Sequence, residues 1–200
     1  FFHNSNPIVL ELGCGRGEYT VALAERYPDK NFIGVDIKGA RMWRGAKTAT
    51  EQQMGNVGFL RTRIEFIDSC FGPGEVDEIW ITFPDPQLRK SRVKKRLTAP
   101  DFLERYARFL RPGGTIHLKS DCRHLHDYTR AVAEGNLLPI EAANTDIYGT
   151  GFADELLSIK TTYEKRFLAQ GVPITYLRFR LDDRNTFDPI EFAPDEQLLG

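Results

Sequence analysis

The chain has 200 residues, 41% of them hydrophobic, which suits one domain with a full core, and its net charge of −1 gives no overall basicity that would by itself point to nucleic acid. Its three cysteines, Cys14, Cys70 and Cys122, are widely spaced and form no CxxC pair, which argues for a reducing, cytoplasmic setting and against a structural zinc. No run approaches the roughly 18–20 apolar residues of a membrane span and no signal peptide is present; a chain that opens at Phe1 rather than methionine predicts a leading segment before it.

Ile8–Leu12 is too short an apolar run for a helix and reads as a buried strand. Gly13, Gly15 and Gly17 follow at alternate positions, letting the backbone turn sharply and a ligand approach without Cβ interference. Glu18–Tyr27 has helical spacing, so the chain opens as strand, glycine turn and helix. A second strand, Phe32–Ile37, a helix over Ala40–Met54 and a third strand, Val57–Leu60, come next. Glu78–Thr82 is the fourth strand and runs straight into Phe83-Pro84-Asp85-Pro86. Asp101–Leu110 is a helix ended by Arg111-Pro112-Gly113-Gly114, Thr115–Lys119 a fifth strand, and Arg123–Glu134 a helix capped by Gly135. Beyond Pro139 the pattern weakens to a short strand Ile140–Ala143, a loop Thr145–Ala153, a helix Thr161–Gln170 stopped by Gly171, and a strand Ile174–Leu181 that closes the sheet. Strands alternating with amphipathic helices predict a mostly parallel sheet with helices on both faces. Residues 1–181 read as one domain, and 182–200, with six acids, one arginine and two prolines, as an acidic extension that wraps the surface or is disordered.

The glycine spacing is G-x-G-x-G rather than the dinucleotide G-x-G-x-x-G, and Glu11, placed in the turn region, would repel a pyrophosphate held at the helix N-terminus. A ligand with cationic groups and no phosphates fits better, and S-adenosylmethionine has both a sulfonium and an ammonium. Asp36, nineteen residues beyond Gly17 at the end of the second strand, stands where such folds hold ribose hydroxyls. A tight turn with no ligand is the plainer reading of the triplet alone.

In open α/β sheets ligands sit outside the carboxyl ends of the strands, which is where Phe83–Pro86 lies. Each proline biases the residue before it towards an extended conformation, so Phe83 and Asp85 are held in a stiff segment that aims a ring and a carboxylate. Arg89–Arg96 then carries six cations in eight residues, concentrated beside the expected site on an otherwise acidic chain. Such a run is usually a solvated face; its position favours a contact surface for phosphates, with Lys90, Lys94 and Lys95 among the candidates.

F-P-D-P-Q followed by K-x-R-x-x-K-R-L, together with L-E-L-G-C-G-R-G and Asp36, L-K-S-D-C-R ending at Asp121, and T-T-Y-E at Thr161–Glu164, resembles the bacterial tRNA (guanine-N7)-methyltransferases. The motifs span Val9 to about Phe179 in the family's order. The resemblance implies a Rossmann-like class I methyltransferase whose substrate is tRNA and whose target is the variable-loop guanosine at position 46. It implies that Glu11, Gly13, Gly15, Gly17 and Asp36 hold S-adenosylmethionine and that Asp85 lies between cofactor and base. Arg89, Asp121, Thr161 and Glu164 match substrate-contacting positions. Most members have Trp where this chain has Gln87 and Lys where it has Arg89. The family's acid near the adenine aligns near Arg63, with Glu65 two residues on.

Nitrogen 7 of guanine has an exposed lone pair, so its methylation needs orientation and nearby carboxylates rather than a general base. Thr161 and Glu164 are equally a capping box opening a helix. His124 and His126 read as polar residues at a helix start, His117 as a hydrogen-bonded core residue, and Cys14 as small; no metal is expected. The rival readings are a methyltransferase of a small molecule or protein, which has no use for the basic run, and a non-catalytic RNA-binding subunit, against which Asp36, Asp85 and Asp121 argue. Nothing in the sequence chooses between a monomer and a homodimer.

Overall fold

The computed structural model describes residues 1–192. Seven strands form one sheet: β1 (Ile8–Leu12), β2 (Asn31–Asp36), β3 (Val57–Arg61), β4 (Val76–Thr82), β5 (Leu110–Ser120), β6 (Ile140–Asn144) and β7 (Thr175–Arg180). Their spatial order is β3-β2-β1-β4-β5-β7-β6. The first five are parallel, and β7 runs antiparallel to both its neighbours. Five helices connect them: α1 (Glu18–Arg26), α2 (Gly39–Glu51), α3 (Pro100–Ala107), α4 (Arg123–Gly135) and α5 (Thr162–Ala169). The chain leaves β1 towards β2 and β3 on one side and returns to β4 and β5 on the other. This reversal opens a crevice at the carboxyl ends of β1 and β4, where open α/β sheets bind ligands.

The apolar strands separate two cores by simple alternation. Leu10 and Leu12 face α3 and α4 with Ile79, Ile81, Ile116, Leu118, Phe102, Tyr106 and Tyr128. Val9 faces α1 and α2 with Tyr19, Leu23, Phe32, Trp80 and Tyr176. Glu11 shares the Val9 face, so its carboxylate is directed under α1 rather than into the glycine turn. It is the fourth residue of β1 itself, 3% exposed, and not part of the turn as the motif suggested.

Four further expectations are corrected. The strand β5 begins at Leu110, so Arg111–Gly114 belongs to a sheet irregularity, with a register shift between Val76 and Glu78 on β4, and does not form the loop ending α3. Gly135 stays inside α4. The cap is Asn136, followed by Leu137 at φ +55°, and the Asn136 amide is held by Val132 O and Asp188 O. The last strand does not close the sheet: β7 inserts between β5 and β6, leaving β6 at the edge. Phe83 stands at φ +50°, left-handed rather than extended.

After β7 the chain crosses α4, with Arg184 donating to Asn136 O and Phe187 buried in the α3–α4 core. Residues 193–200, with the acids at 195 and 196, lie outside the described residues. Among the described residues no helix is long and apolar enough to cross a membrane.

Gly17, Gly34 and Gly45 bring β2, α1 and α2 together around one ring, Phe59 of β3. A Cβ at Gly17 would meet that ring at 2.5 Å, at Gly34 at 2.8 Å, and at Gly45 at 2.7 Å. At Gly45 it would also meet Arg16 O at 2.8 Å and Gly17 Cα at 3.0 Å, backbone atoms with no freedom to rotate aside. Alanine ordinarily favours a helix over glycine by about 1 kcal/mol. Here the sign reverses: Gly45→Ala is expected to cost about 1–3 kcal/mol through overpacking. The check is the urea unfolding midpoint, and a variant as stable as the parent would remove the close-packing account.

Candidate active site

Two cavities open at the carboxyl ends of the strands. The larger, about 710 Å³, is lined by Glu11, Gly13, Cys14, Gly15, Thr82, Asp85, Asp121, Thr161 and Tyr163, with Arg16, Arg41 and Arg166 among its other lining residues. The smaller, about 410 Å³, is lined by Asp36, Ile37, Thr62, Arg63, Glu65, Lys95, Leu97 and Phe102. Both include Gly13 and Phe83–Asp85, which therefore form the ridge between them. Both volumes are in the range of small-molecule sites.

The floor of the larger cavity is Glu11. One carboxylate oxygen accepts from the Thr20 N–H at 2.9 Å and from the Thr20 hydroxyl; the other accepts from the Thr82 hydroxyl at 2.6 Å. Burial pushes this carboxyl from its ordinary 4.5 up to about 7, the threonine bonds offsetting only part of that. Gly13 (φ +78°) and Gly15 (φ +54°) require glycine by conformation, and a Cβ on either would project into open space. Gly17 is left-handed as well (φ +69°), but it is buried against Phe59 and lines neither cavity, so the structure shows it in packing. Asp36 accepts from Gly15 N–H at 2.9 Å and Lys38 N–H at 2.8 Å, which fixes the glycine turn to the start of α2. A carboxylate has about four acceptor positions, so two remain for a ligand. Glu65 lines the smaller cavity with Arg63, whose guanidinium donates to it at 3.2 Å.

The ridge is a strained turn. Phe83 (φ +50°) and Gln87 (φ +46°) are both left-handed, a conformation costing of order 1–3 kcal/mol at a non-glycine residue. Two anchors hold it: Phe83 N–H donates to Lys119 O at 2.8 Å, and Arg96 donates to Pro86 O at 3.0 Å and Gln87 O at 3.3 Å. Arg96 is 2% exposed, with its guanidinium 4.2 Å over the Tyr128 ring. The sixth cation of the basic run is therefore internal scaffolding for Asp85 and not a phosphate contact. Arg89, Lys90, Arg92, Lys94 and Lys95 remain exposed, Lys90–Lys95 forming a 3₁₀ turn. Lys95 faces the smaller cavity, Lys90 and Lys94 a groove towards α4, and Arg89 lines neither cavity.

The wall opposite Asp85 is the start of α5. Thr161 caps that helix by accepting from Glu164 N–H at 3.1 Å. Thr162 donates to Glu18 from its N–H (2.7 Å) and its hydroxyl (2.6 Å), clamping α5 to the first turn of α1. Tyr163 stands beside Phe83 with ring centroids 5.7 Å apart. Glu164 is fully buried and lines neither cavity; its carboxylate is taken by Lys119 Nζ at 2.8 Å and by the Tyr148 hydroxyl at 2.7 Å. In the structure it positions Thr161–Tyr163. Lys119, also fully buried, donates to Leu157 O and Ile159 O as well. Sequence reading missed Lys119 because its partners lie about 40 residues away; an isolated lysine in an apolar strand was the available signal.

Asp121 follows β5 into the larger cavity, and partial burial raises its pKa. Burial likewise raises the Cys14 thiol, which leaves it an inert wall residue. His117 bonds Tyr176 at 2.7 Å and stacks on Trp80, while His126 bonds Tyr176 O at 3.2 Å. Among the described residues no three His, Cys, Asp or Glu side chains are placed to hold a metal. The donor set fits S-adenosylmethionine: a buried acid under the glycine turn for the cationic half, and an acid at the end of β2 beside the partly apolar smaller cavity for the nucleoside half.

A family model described as "Putative methyltransferase" matches residues 5–177. The chain is 55% identical over 199 residues to a tRNA (guanine-N(7)-)-methyltransferase of Porphyromonas gingivalis, covering 98% of this chain and 81% of the relative. It is 55% identical to one of Bacteroides thetaiotaomicron (90% and 71% covered) and 34% identical to one of Listeria monocytogenes (90% and 83% covered). Among solved structures, the 16S rRNA methyltransferase KamB superposes with a TM-score of 0.65 at 18% identity, covering 88% of each chain. A 16S rRNA (adenine(1408)-N(1))-methyltransferase from Catenulisporales acidiphilia, determined with SAM, gives 0.64 at 18% identity, covering 94% of this chain and 91% of that one. These structural likenesses establish the class I methyltransferase fold.

Two predictions follow from the site's buried charges. With its pKa raised to about 7, Glu11 keeps in the native state a proton that the unfolded chain releases above about 4.5. It therefore lowers stability as pH rises between those values, and the loss is complete above 7. A cation placed beside the ionised carboxylate offsets this loss. S-adenosylmethionine is expected to raise the melting temperature more at pH 7.5 than at pH 5.5, and Glu11→Gln to abolish the difference; equal shifts in the parent would exclude the carboxylate from binding. Lys119→Met leaves Glu164 buried without its cation and is expected to cost about 3–5 kcal/mol in urea unfolding. A loss below 1 kcal/mol would show that the pair does not hold this wall.

Proposed function

This chain belongs to the tRNA (guanine-N7)-methyltransferases, and we propose that Asp85 and Asp121 face the guanine in its larger cavity and that the target is the variable-loop guanosine at position 46. S-adenosylmethionine, when bound, supplies a methyl group on a positively charged sulfur. Asp36 would hold its ribose, Glu11 its cationic half, and the smaller cavity with Glu65 its adenine. Gly13 and Gly15 leave the approach clear.

The observation that carries this reading is the convergence of Glu11, Asp85 and Asp121 on one cavity beside Thr161 and Tyr163. The attacking atom is a lone pair that needs no deprotonation, so the protein's work is to orient the base and exclude water. As the methyl arrives, the purine ring gains positive charge, and carboxylates fixed beside it stabilise that charge without reorganising. Acceptor oxygens also match guanine's ring N–H and exocyclic amine, which adenine does not present in the same pattern. Tyr163 and Phe83 offer ring faces to a base taken out of its stack, the usual way a protein reads single-stranded RNA. The exposed cations Arg89–Lys95 would meet the phosphates outside, and Lys90, Lys94 and Lys95 set part of the salt dependence. Residues 1–181 would act as the catalytic domain and 182–200 as an acidic extension of it, in the cytoplasm where its substrate is.

The test is methylation of unmodified tRNA with labelled methyl donor, followed by mapping of the product. The methyl group is expected on nitrogen 7 of guanosine 46, and a transcript with adenosine there should not accept it. Asp85→Asn should lower turnover about 100-fold while S-adenosylhomocysteine affinity, measured by calorimetry, changes little. Methyl transfer at the parental rate would remove Asp85 from the reaction, and a methyl group mapped elsewhere would overturn the target.

A further inference from the structure

Surface arginines on most of this protein are matched by acids. Arg26 pairs with Glu155, Arg105 and Arg108 with Asp68, Arg111 with Asp77, and Arg178 and Arg180 with Glu141. Arg123 and Arg130 pair along α4, and Arg184 pairs with Asp182. The outer face of α2 is different. From Lys38 to Thr50 it contains no acid, and Arg41 and Arg44, both exposed, have no ion pair among the described residues. Lys47 reaches only Glu51, at 3.6 Å, an exposed pair worth little. No acid sits in the first turn of α2, where the helix dipole would favour one, so the cations there stand against the local field.

Beside these cations stands Trp43, 60% exposed, with Lys47 Nζ 5.2 Å from its ring centre. This mostly solvated indole is not among the buried residues of α2, which are Met42, Gly45 and Ala49. Its position is informative too. Arg41 lines the mouth of the larger cavity, and Arg44 and Lys47 continue away from it along the helix. The basic run at 89–95 follows the ridge that carries Asp85. A nucleotide drawn into the cavity leaves one phosphate on each side, and only one of these can be met by the 89–95 run.

We propose that Arg41, Arg44 and Lys47, with Trp43 among them, form a second tRNA-binding strip on the α2 rim: the cations neutralise backbone phosphates and the indole stacks on an unpaired base. The inference rests on the tRNA reading above and extends it to a surface that the sequence motifs do not include. Cations on phosphates give affinity without sequence preference, and aromatic stacking tolerates any base, so the strip fits a contact outside the target nucleotide.

The experiment uses the full chain and the double variant Arg44→Ala/Lys47→Ala, neither residue lining the cavities. tRNA affinity is measured across a salt series and S-adenosylhomocysteine affinity by calorimetry. Loss of two phosphate contacts is expected to flatten the slope of log K against log salt by about 1.5 and weaken tRNA binding roughly tenfold at low salt, with S-adenosylhomocysteine affinity unchanged. The chain has two tryptophans and the other, Trp80, is 1% exposed, so emission quenched by tRNA reports on Trp43. The quench is expected in the parent and absent in Trp43→Phe. Unchanged slope and affinity in the double variant would overturn the strip while leaving the tRNA reading intact. A fall in S-adenosylhomocysteine affinity would overturn it in favour of a cofactor role. A parent that neither binds nor methylates tRNA would overturn both readings.

Discussion

One buried carboxylate joins the parts of the molecule that make the cleft. Glu11 belongs to β1, and its two oxygens are held by Thr20 of α1 and Thr82 at the end of β4. The three elements that define the crevice therefore meet at a single side chain. An apolar residue would fill this position at less cost, since burying a charge is unfavourable unless it is well paired. The carboxyl is instead satisfied by neutral hydroxyls and an N–H, which leaves its charge uncompensated. On the proposed reading, the cationic half of the cofactor would compensate it.

The second constraint is that the opposite wall is drawn in from far along the chain. Thr161–Tyr163 is fixed by the Lys119–Glu164 pair, fully buried behind it, and by the Glu18–Thr162 clamp at its front. One pair ties the wall to β5, beside Asp121; the other ties it to α1, beside the glycine turn. The Phe83 N–H is bonded to the carbonyl of the same Lys119. The two sides of the larger cavity thus share a residue, and the distance between Asp85 and Thr161 is governed by the sheet rather than by either loop.

What could be read from the sequence was whatever short-range physics decides. Ile8–Leu12 and Glu78–Thr82 are apolar runs bounded by turns, and the structure has them as strands with nearly those limits. Gly13 and Gly15 do need glycine for their left-handed turn, and Thr161 does cap α5. What could not be read this way depends on partners elsewhere in the chain. Gly17 sits in the same triplet but answers to Phe59, 42 residues away. Glu164 is held by Lys119, 45 residues away, and Arg96, the last of six cations in eight residues, turns inward to the carbonyls of Pro86 and Gln87. Gly135 resembled a cap because glycine so often is one; Asn136 does the work through a bond to Asp188 that no local pattern announces.

The cleft of this nearly neutral protein gathers acids. Acids line the cleft: Glu11, Asp85 and Asp121 in the larger cavity, Asp36 and Glu65 in the smaller. Exposed cations occupy the surface beside it, at 89–95 and along α2, while most surface arginines elsewhere pair with neighbouring acids. On the proposed reading, the exposed cations would meet the phosphate backbone beside the cleft. On the proposed reading, a base, uncharged until it is methylated, meets no like charge from these acids, and they would favour it most strongly as positive charge develops on its ring.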